Sequence, residues 1–196
     1  MENLGYDDYQ MEDQIPYEII EGVKTFMVPS PTYEHGSIVS NLVTIFNSYF
    51  WSNSVGRVFG DNIDVHLPDG NLVMPDLTVI CDLNVLKRQG TIYGVPDLVV
   101  EVLSRSTMKN DIGIKKSIYE RNGIKEYWII DQWSKRIEVY HLIDGKYEVD
   151  DVYQVYSPFE LEELTDEERT YIKTEIKVSI FDDLLVSIDK VFMWVD

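Results

Sequence analysis

The stretch Pro96-Asp-Leu-Val-Val-Glu-Val-Leu103 places a carboxylate, that of Glu101, in the middle of an apolar run. A second apolar run, from Leu77 to Cys81, follows directly on Pro75-Asp76. An ionised carboxylate among Val and Leu is costly unless a metal ion or a cationic side chain meets it. These two segments therefore indicate a functional site rather than a plain hydrophobic core.

Strand parity predicts that the acids of the two segments converge. Side chains alternate between the faces of a strand, so Asp97 and Glu101 share one face of the later segment. If the strands are neighbours, Asp76 reaches Glu101 from an adjacent position, whereas Cys81 points to the opposite face. Two nearby carboxylates repel unless a cation separates them, and oxygen ligands favour Mg²⁺ or Mn²⁺. The three histidines have no zinc-binding spacing: His35, His66 and His141.

A helix is predicted after the second acidic strand, from Asp111 to Asn122, with Gly123 as its stop. Lys115 lies four residues after Asp111 and four before Tyr119, so the three share a helical face. Such a helix, packed back over its strand, carries an ammonium group toward Glu101. The alternative is that Lys115 only pairs with Asp111 on the surface. Lys116 points about 100° away and is the weaker candidate.

The rest of the chain predicts an α/β fold of the α+β type, with a mixed sheet. A strand at residues 126–131 completes a strand–helix–strand unit, which favours a parallel crossover. We expect residues 1–14 to be a loose acidic terminus and 15–196 to be one domain, with a weaker pattern in 157–196. The other predicted elements are a hairpin at 17–27, a helix at 34–49, antiparallel strands at 57–67 and 72–81, a loop at 82–95, a hairpin at 136–153, a strand at 176–180 and a short helix at 182–194.

Composition indicates a soluble globular protein. The chain has 196 residues, of which 44% are hydrophobic and 27% charged, enough for one domain with a core. No apolar run reaches the roughly 20 residues that span a bilayer, and the acidic start does not resemble a signal peptide. A lone cysteine, Cys81, excludes an internal disulfide and suits a reducing cytoplasm, the expected location.

The charge distribution is uneven. The formal net charge of −18 argues against a protein that coats DNA nonspecifically. Residues 87–125 nevertheless contain eight Lys or Arg against four acids, a local charge of +4. Either this segment is a phosphate-attracting surface near the two acids, or it is an ordinary solvated helix face.

Several short motifs together resemble the PD-(D/E)XK nuclease superfamily and, within it, the small bacterial putative restriction endonucleases. They are Pro75-Asp76, Glu101-Val-Leu-Ser104, the Asp111–Lys115–Tyr119 helix face and Glu126-Tyr-Trp128. The resemblance covers about residues 15–135. It implies a restriction-endonuclease-like core, a central mixed sheet flanked by helices. It also implies Mg²⁺-dependent hydrolysis of DNA phosphodiester bonds, with Mn²⁺ as a substitute.

The resemblance also assigns roles to residues. Asp76 and Glu101 take the places of the two metal-binding acids, and the backbone carbonyl of Val102 that of a further ligand. The usual pattern has a lysine two residues after the second acid, where this chain has Leu103. In the family resembled the lysine has moved to the following helix, to the place of Lys115.

Other side chains near these motifs have two interpretations each. Glu34 or His35, at the start of the first helix, completes the site through a metal-bound water, or His35 only bonds to backbone. Asp64 reaches the same site or lies at a sheet edge, and the latter is favoured. Three aromatic residues are expected to pack in the core rather than stack on bases: Tyr119, Tyr127 and Trp128. Asp97 is expected to start its strand.

Two functions therefore compete. The first is a metal-dependent endodeoxyribonuclease that acts as a homodimer. The second is a catalytically inactive nuclease-fold protein that binds a partner, including a protein partner through its acidic surface; Leu103 and the charge of −18 favour it. A small-molecule phosphoesterase has no supporting phosphate-binding loop.

Overall fold

The computed structural model describes residues 15–27, 31–60, 63–87, 90–104 and 110–195, except the side chains of Asn110 and Asp111. The acidic terminus 1–14, Asp61 and most of the link before the lysine-bearing helix lie outside these ranges. Thirteen strands occur within them. They are β1 (Tyr17–Ile20), β2 (Val23–Phe26), β3 (Arg57–Gly60), β4 (Val65–His66), β5 (Leu72–Val73), β6 (Leu77–Ile80), β7 (Ile92–Tyr93), β8 (Leu98–Val102), β9 (Glu126–Asp131), β10 (Arg136–Ile143), β11 (Lys146–Gln154), β12 (Glu175–Lys177) and β13 (Leu185–Ser187).

The central sheet has six strands in the order β11-β10-β9-β8-β6-β3. Strands β8 and β9 are parallel, and every other neighbouring pair in this sheet is antiparallel. The predicted parallel crossover and the mixed sheet are thus confirmed. All five residues of β8 are buried and its alternate side chains belong to two different core clusters, so the strand is covered on both faces of the sheet, as its near-continuous apolar sequence predicts.

Helices flank the central sheet. The part of the chain that the structure describes contains five α-helices, α1 (Tyr33–Asn53), α2 (Lys116–Asn122), α3 (Pro158–Glu163), α4 (Asp166–Arg169) and α5 (Ile188–Val191), and a π-helical turn, Asn110–Lys115, leads into α2. Helix α1 packs Leu42 and Phe46 on one face of the sheet, against Val100 and Trp128. On the other face, Ile118 of α2 belongs to a second core cluster that includes β8 and β9 side chains.

The N-terminal hairpin is confirmed as β1 and β2, joined at Glu21-Gly22 with Gly22 at φ 77°. It belongs to a five-stranded sheet ordered β2-β1-β5-β4-β7. The two predicted antiparallel strands at 57–67 and 72–81 do pair, but each is broken in two. Strand β3 pairs with β6 in the central sheet, and β4 with β5 in the smaller one, because the chain leaves the first sheet between them.

Two predicted segments were wrong in part. The loop at 82–95 contains strand β7 and a single 3₁₀ turn at Leu83–Val85. The helix expected at 182–194 begins as strand β13, which pairs with β12, and is helical only in α5. Here the buried residues Val186, Ile188 and Val191 fit neither a pure helical nor a pure strand period. No helix in the described ranges is long and apolar enough to cross a bilayer.

Candidate active site

Glu101 lies in the middle of β8 and is 3% exposed. Its Oε1 accepts hydrogen bonds from Lys115 Nζ at 3.0 Å and from Tyr119 Oη at 2.6 Å. Burial, followed by the charge of Glu101, raises the pKa of Tyr119 well above its usual value, so the hydroxyl keeps its proton and donates. The predicted helical face of residues 115 and 119 therefore converges on the predicted acid.

Lys115 is only 2% exposed, so the alternative of a surface lysine is wrong. It is the last residue of the π-helical turn, a geometry that often occurs at functional sites. Its ammonium group lies between two carboxylates, with Glu18 Oε1 at 2.9 Å and Glu101 Oε1 at 3.0 Å. A buried ammonium needs such partners, because desolvation of an unpaired charge is costly.

Glu18 is a site residue that sequence analysis missed. It lies on β1 and is 6% exposed, and its Oε1 also accepts a hydrogen bond from the backbone N–H of Met74 at 2.9 Å. The signal was present: Tyr17-Glu-Ile-Ile20 places a carboxylate in an apolar strand, as the segment around Glu101 does. Because Glu18 and Lys115 are far apart in the sequence, no local pattern predicted their contact.

Asp76 precedes β6 and adjoins the backbone of β8. Its Oδ2 accepts a hydrogen bond at 2.6 Å from the N–H of Val102, the nitrogen of the peptide bond that links Val102 to Glu101. The register pairs Thr78 with Val99, and extending it by two residues sets Asp76 opposite Glu101. The two acids thus come from adjoining positions on neighbouring strands, as parity predicts.

His35 approaches the other oxygen of Asp76. Its Nε2 lies 3.4 Å from Asp76 Oδ1, and the residue is 9% exposed. Its backbone N–H donates to Oγ1 of Thr32, the N-cap of α1, so His35 lies in the first turn of that helix, and its role toward a metal-bound water stays a prediction. Glu34 instead bonds to Thr32 and its own backbone, which lower its pKa. The structure therefore brings His35, and not Glu34, to Asp76.

Leu103 occupies the usual lysine position and is 4% exposed within the second core cluster. Its carbonyl accepts a hydrogen bond at 3.0 Å from Nε2 of Gln132, whose Oε1 accepts one from the Thr32 hydroxyl at 3.2 Å. This chain of bonds links the end of β8 to the start of α1. The residue at position 103 supplies apolar packing, and the nearby cation comes from the helix.

The remaining candidates lie away from these acids. Asp97 starts its strand as expected: it accepts from the N–H of Cys81 at 2.7 Å and from Lys125 Nζ at 2.7 Å. Lys116 lies over the ring of Tyr140, with Nζ 3.6 Å from the centroid. Asp64 lies beside β4, where its backbone carbonyl accepts a hydrogen bond from the N–H of Ile92 at 2.9 Å.

The aromatic residues of the motif region pack in the core as predicted. All three are fully buried: Tyr119, Tyr127 and Trp128. Tyr119 and Tyr127 meet edge to face with centroids 5.1 Å apart, and Trp128 packs against Phe46 of α1. None of these rings is available to stack on a base, although the Tyr119 hydroxyl has the polar role given above.

The basic segment at 87–125 is expected to attract phosphate less strongly than its charge of +4 suggests. Some of its cations pair with acids outside the segment, which that net charge does not count. Arg121 pairs with Asp69 and Glu21, and Lys125 pairs with Asp97. Lys115 is buried between Glu18 and Glu101. Arg88, Arg105 and Lys109 lie outside the described ranges. Within those ranges, these ion pairs offset much of the positive charge.

The donor set around Asp76 consists of carboxylate oxygens with one imidazole beside them. Hard oxygen ligands suit Mg²⁺ or Mn²⁺ rather than soft metals. The described side chains contain no group of three or more His, Cys, Asp and Glu arranged to hold a metal ion. Mg²⁺ sites commonly use one or two carboxylates plus water and substrate phosphate, so a pair of acids fits such an ion.

A mixed central sheet between helices, with a parallel β8–β9 crossover, defines a nuclease-like fold. The chain is similar over 93% of its length to 92% of a crystal structure of a putative nuclease belonging to DUF820 from Anabaena variabilis, with a TM-score of 0.64 and 21% identity. At that identity the likeness shows the fold. The family follows from the sequence itself.

The chain belongs to the Uma2 family, described as "Putative restriction endonuclease", whose model matches residues 5–172. It is also 35% identical over 145 residues to the uncharacterized protein slr1290 of Synechocystis sp., a match that covers 73% of each chain. The predicted resemblance to restriction-endonuclease-like proteins is thereby confirmed.

Proposed function

We propose that this protein is a Mg²⁺-dependent endonuclease that hydrolyses phosphodiester bonds of DNA, with Asp76 and Glu101 as metal ligands and Lys115 as the assisting cation. One observation carries the proposal: two acids from neighbouring strands adjoin at Val102, and a buried ammonium lies 3.0 Å from one of them. Membership of a putative restriction endonuclease family supports a nuclease rather than another hydrolase.

The metal would be held by Asp76 and Glu101, with the carbonyl oxygen of Val102 as a further ligand. When bound, a divalent ion polarises the scissile phosphate and lowers the pKa of a water molecule. Two carboxylates are enough for an ion that retains several waters and binds substrate phosphate. Mn²⁺, which accepts the same oxygen ligands, is the expected substitute.

Lys115 would stabilise the negative charge that develops on the phosphate, or orient the attacking water. A fixed ammonium in a water-poor site is effective because its field is weakly screened there. Glu18 gives Lys115 a second anionic partner, so the position of the amine does not depend on Glu101 alone. The Tyr119 hydroxyl in turn restrains the Glu101 carboxylate.

His35 would hold Asp76 in place. Its Nε2 faces Asp76 Oδ1, while Oδ2 accepts from the backbone of Val102. Both oxygens of the acid therefore have a neighbour that limits its rotation. With a metal held by the two acids, the His35 imidazole would be the group on α1 that contacts water on that ion.

The partner is expected to be DNA, with the protein acting as a homodimer in the cytoplasm. Cleavage of both strands of a duplex favours two-fold symmetry, since most soluble oligomers are symmetric. With a net charge of −18, binding should depend on the metal and on a few local contacts rather than on a broad basic surface.

The test combines metal titration with DNA cleavage. We expect saturable heat on titration with Mn²⁺ and nicking of supercoiled DNA, both lost in Asp76→Asn. The matched control is Asp97→Asn, because Asp97 is a carboxylate at the start of β8, the strand that carries Glu101, and its bonds are structural. Equal cleavage by wild type and Asp76→Asn would refute the proposal.

A second candidate is a nuclease-fold protein that binds a partner without cutting. It is favoured by the apolar Leu103 in the usual lysine position and by the ion pairs that offset the basic segment. This candidate predicts no heat of Mn²⁺ binding and no cleavage of single-stranded or supercoiled DNA. Metal binding that depends on Asp76 would count against it.

A further inference from the structure

A cavity of about 200 Å³ opens beside the candidate active site, on the α2 side of the central sheet. The register runs from Glu101 on β8 to Ile129 on β9 and on to Glu138 on β10. Neighbouring strands lie about 4.8 Å apart, so the cavity begins one strand away from the acid. Its walls include Leu103, Ile112, Ile129, Asp131, Arg136 and Glu138.

The cavity has an apolar floor and an apolar edge. Leu103 and Ile129 are 4% and 3% exposed and form the floor. Ile112 is half-exposed and comes from the π-helical turn that ends at Lys115. A ligand with a flat apolar body would be covered by these side chains and would lie next to the lysine-bearing element.

The polar side of the cavity has an unsatisfied donor. Arg136 Nη2 bonds to Glu138 Oε1 at 3.0 Å, but its Nε is buried and has no hydrogen-bond partner within the described ranges. Glu138 Oε2 accepts from the Tyr140 hydroxyl at 2.5 Å. The buried Nε is out of reach of a ligand, but the side chain is 43% exposed and the exposed part of the guanidinium keeps N–H groups that can donate to an acceptor.

The charge of the walls argues against a phosphate in this cavity. Asp131 and Glu138 are two carboxylates against the single guanidinium of Arg136, which leaves a net negative lining. Asp131 is already bonded to the N–H of Trp133 and to the N–H and hydroxyl of Ser134. The ligand that fits is uncharged and planar, with apolar faces and an acceptor edge for Arg136.

We propose that this cavity binds an unstacked purine base of the substrate, guanine by preference, next to the phosphate that is cut. Guanine N7 and O6 form an acceptor edge that arginine recognises, and such contacts discriminate between bases. The aliphatic floor covers the face of the ring. This inference rests on the proposed nuclease function and adds a base preference to it.

Binding is tested without cleavage, by methyl NMR of the full chain titrated separately with guanosine, cytidine and inorganic phosphate, with no metal added. Guanosine should shift the methyl signals of Leu103, Ile112 and Ile129 saturably, and cytidine at least about tenfold more weakly, the size of one discriminating contact. Shifts by phosphate alone, equal shifts by both nucleosides, or no shifts at all would overturn the proposal.

Two variants make the test specific. Arg136→Gln should weaken guanosine binding about tenfold. The matched control, Arg169→Gln, should not, because the two side chains are 43% and 46% exposed and Arg169 lies in α4. Ile112→Ala, at an exposed position, should also weaken guanosine binding. Unchanged binding in folded Arg136→Gln would overturn the assignment.

Mapping of cut sites in a randomised DNA library separates this inference from the function on which it rests. Wild type should cut beside guanine, and Arg136→Gln should cut with that preference reduced. Cutting with no base preference would remove the cavity assignment and leave the nuclease. Guanosine binding in a protein that never cuts would support the cavity and remove the nuclease.

Discussion

Two buried carboxylates lie on neighbouring strands, Glu101 on β8 and Glu126 on β9. They differ in whether a charged group donates a hydrogen bond to them. Glu126 is fully buried, and its oxygens accept from Trp128 Nε1 at 2.6 Å and from the N–H and hydroxyl of Ser179 at 2.7 and 2.5 Å. Those hydrogen-bond donors are neutral, and His141 Nε2 lies 3.9 Å from Oε1, whereas Glu101 accepts a hydrogen bond from the ammonium of Lys115 at 3.0 Å.

The comparison shows that burial of a carboxylate does not by itself mark a catalytic centre. Burial raises the pKa of Glu126, and its hydrogen bonds join β9 to the C-terminal segment on the α1 side of the sheet. Glu101 lies on the α2 side with Asp76 and a cation nearby. The nature of the partners distinguishes a structural acid from a candidate catalytic one.

The largest expected effect is kinetic. Glu101→Gln should lower Mn²⁺-dependent cleavage by about 10³-fold or more, equivalent to about 4 kcal/mol of transition-state stabilisation. Glu126→Gln should leave cleavage within about twofold when assayed under conditions where it is folded, because Glu126 faces away from the site. Rates from a plasmid-nicking assay measure both. Similar losses of cleavage activity in the two variants would contradict the assignment of different roles to Glu101 and Glu126.

Removal of the cation should have the largest effect on stability. Lys115→Met leaves the carboxylates of Glu18 and Glu101 buried without their shared ammonium, at a cost of about 3–5 kcal/mol in the free energy of unfolding. Lys146→Met, at a side chain 78% exposed, should change it by less than about 0.5 kcal/mol. Urea unfolding measures both.

A double variant sharpens that prediction. Glu18→Gln combined with Lys115→Met should recover part of the lost stability, because one of the two unpaired charges is gone. A double variant that is less stable than Lys115→Met would mean that Glu18 acts mainly through its bond to the Met74 N–H.

Glu126→Gln should cost about 1–3 kcal/mol, because its amide group places a donor or a weaker acceptor against Trp128 and Ser179. The pKa of Glu126 is raised above 4.5 in the folded state, so ionisation disfavours folding. The wild-type contribution is therefore complete below about pH 4.5 and declines as pH rises through the folded-state pKa. Urea unfolding between pH 4.5 and 7.5 should show a deficit that shrinks with rising pH, and a constant deficit would contradict the shift.

The smallest effect is expected for Asp69, a residue outside α2 whose carboxylate accepts hydrogen bonds from Arg121 and Asn122 of that helix. Burial raises the pKa of Asp69, but bonds from Asn71, Asn122 and Arg121 outweigh it and lower the pKa from 3.8 to about 2. Its stabilisation is thus present above about pH 4 and is lost as pH falls toward 2. Asp69→Asn should cost about 1–2 kcal/mol at pH 7 and less at pH 3. An equal cost at both values would rule out the ionised form as the cause.

Short-range patterns predicted the parts of the site that local geometry determines. Strand parity placed Glu101, and a four-residue helical spacing placed Lys115 and Tyr119 on one face. Glu18 was missed because its contact with Lys115 joins residues far apart in the sequence, and no local pattern reports such a contact. The division of residues 57–67 between two sheets likewise depends on tertiary contacts. The alternation of side chains along a strand does not predict such a division.

In this chain the residue after β8, Leu103, provides apolar packing, while the cation near Glu101 is Lys115 of the following helical segment. Leu103 lines the 200 Å³ cavity described above. A lysine has a longer side chain than leucine, so a lysine at position 103 would reduce the volume of this cavity. Because the amine is supplied by residue 115, the wall of the cavity at 103 can change in size or shape without touching the cation. Under the proposed function, base preference and cleavage rate would therefore respond to mutations at separate positions.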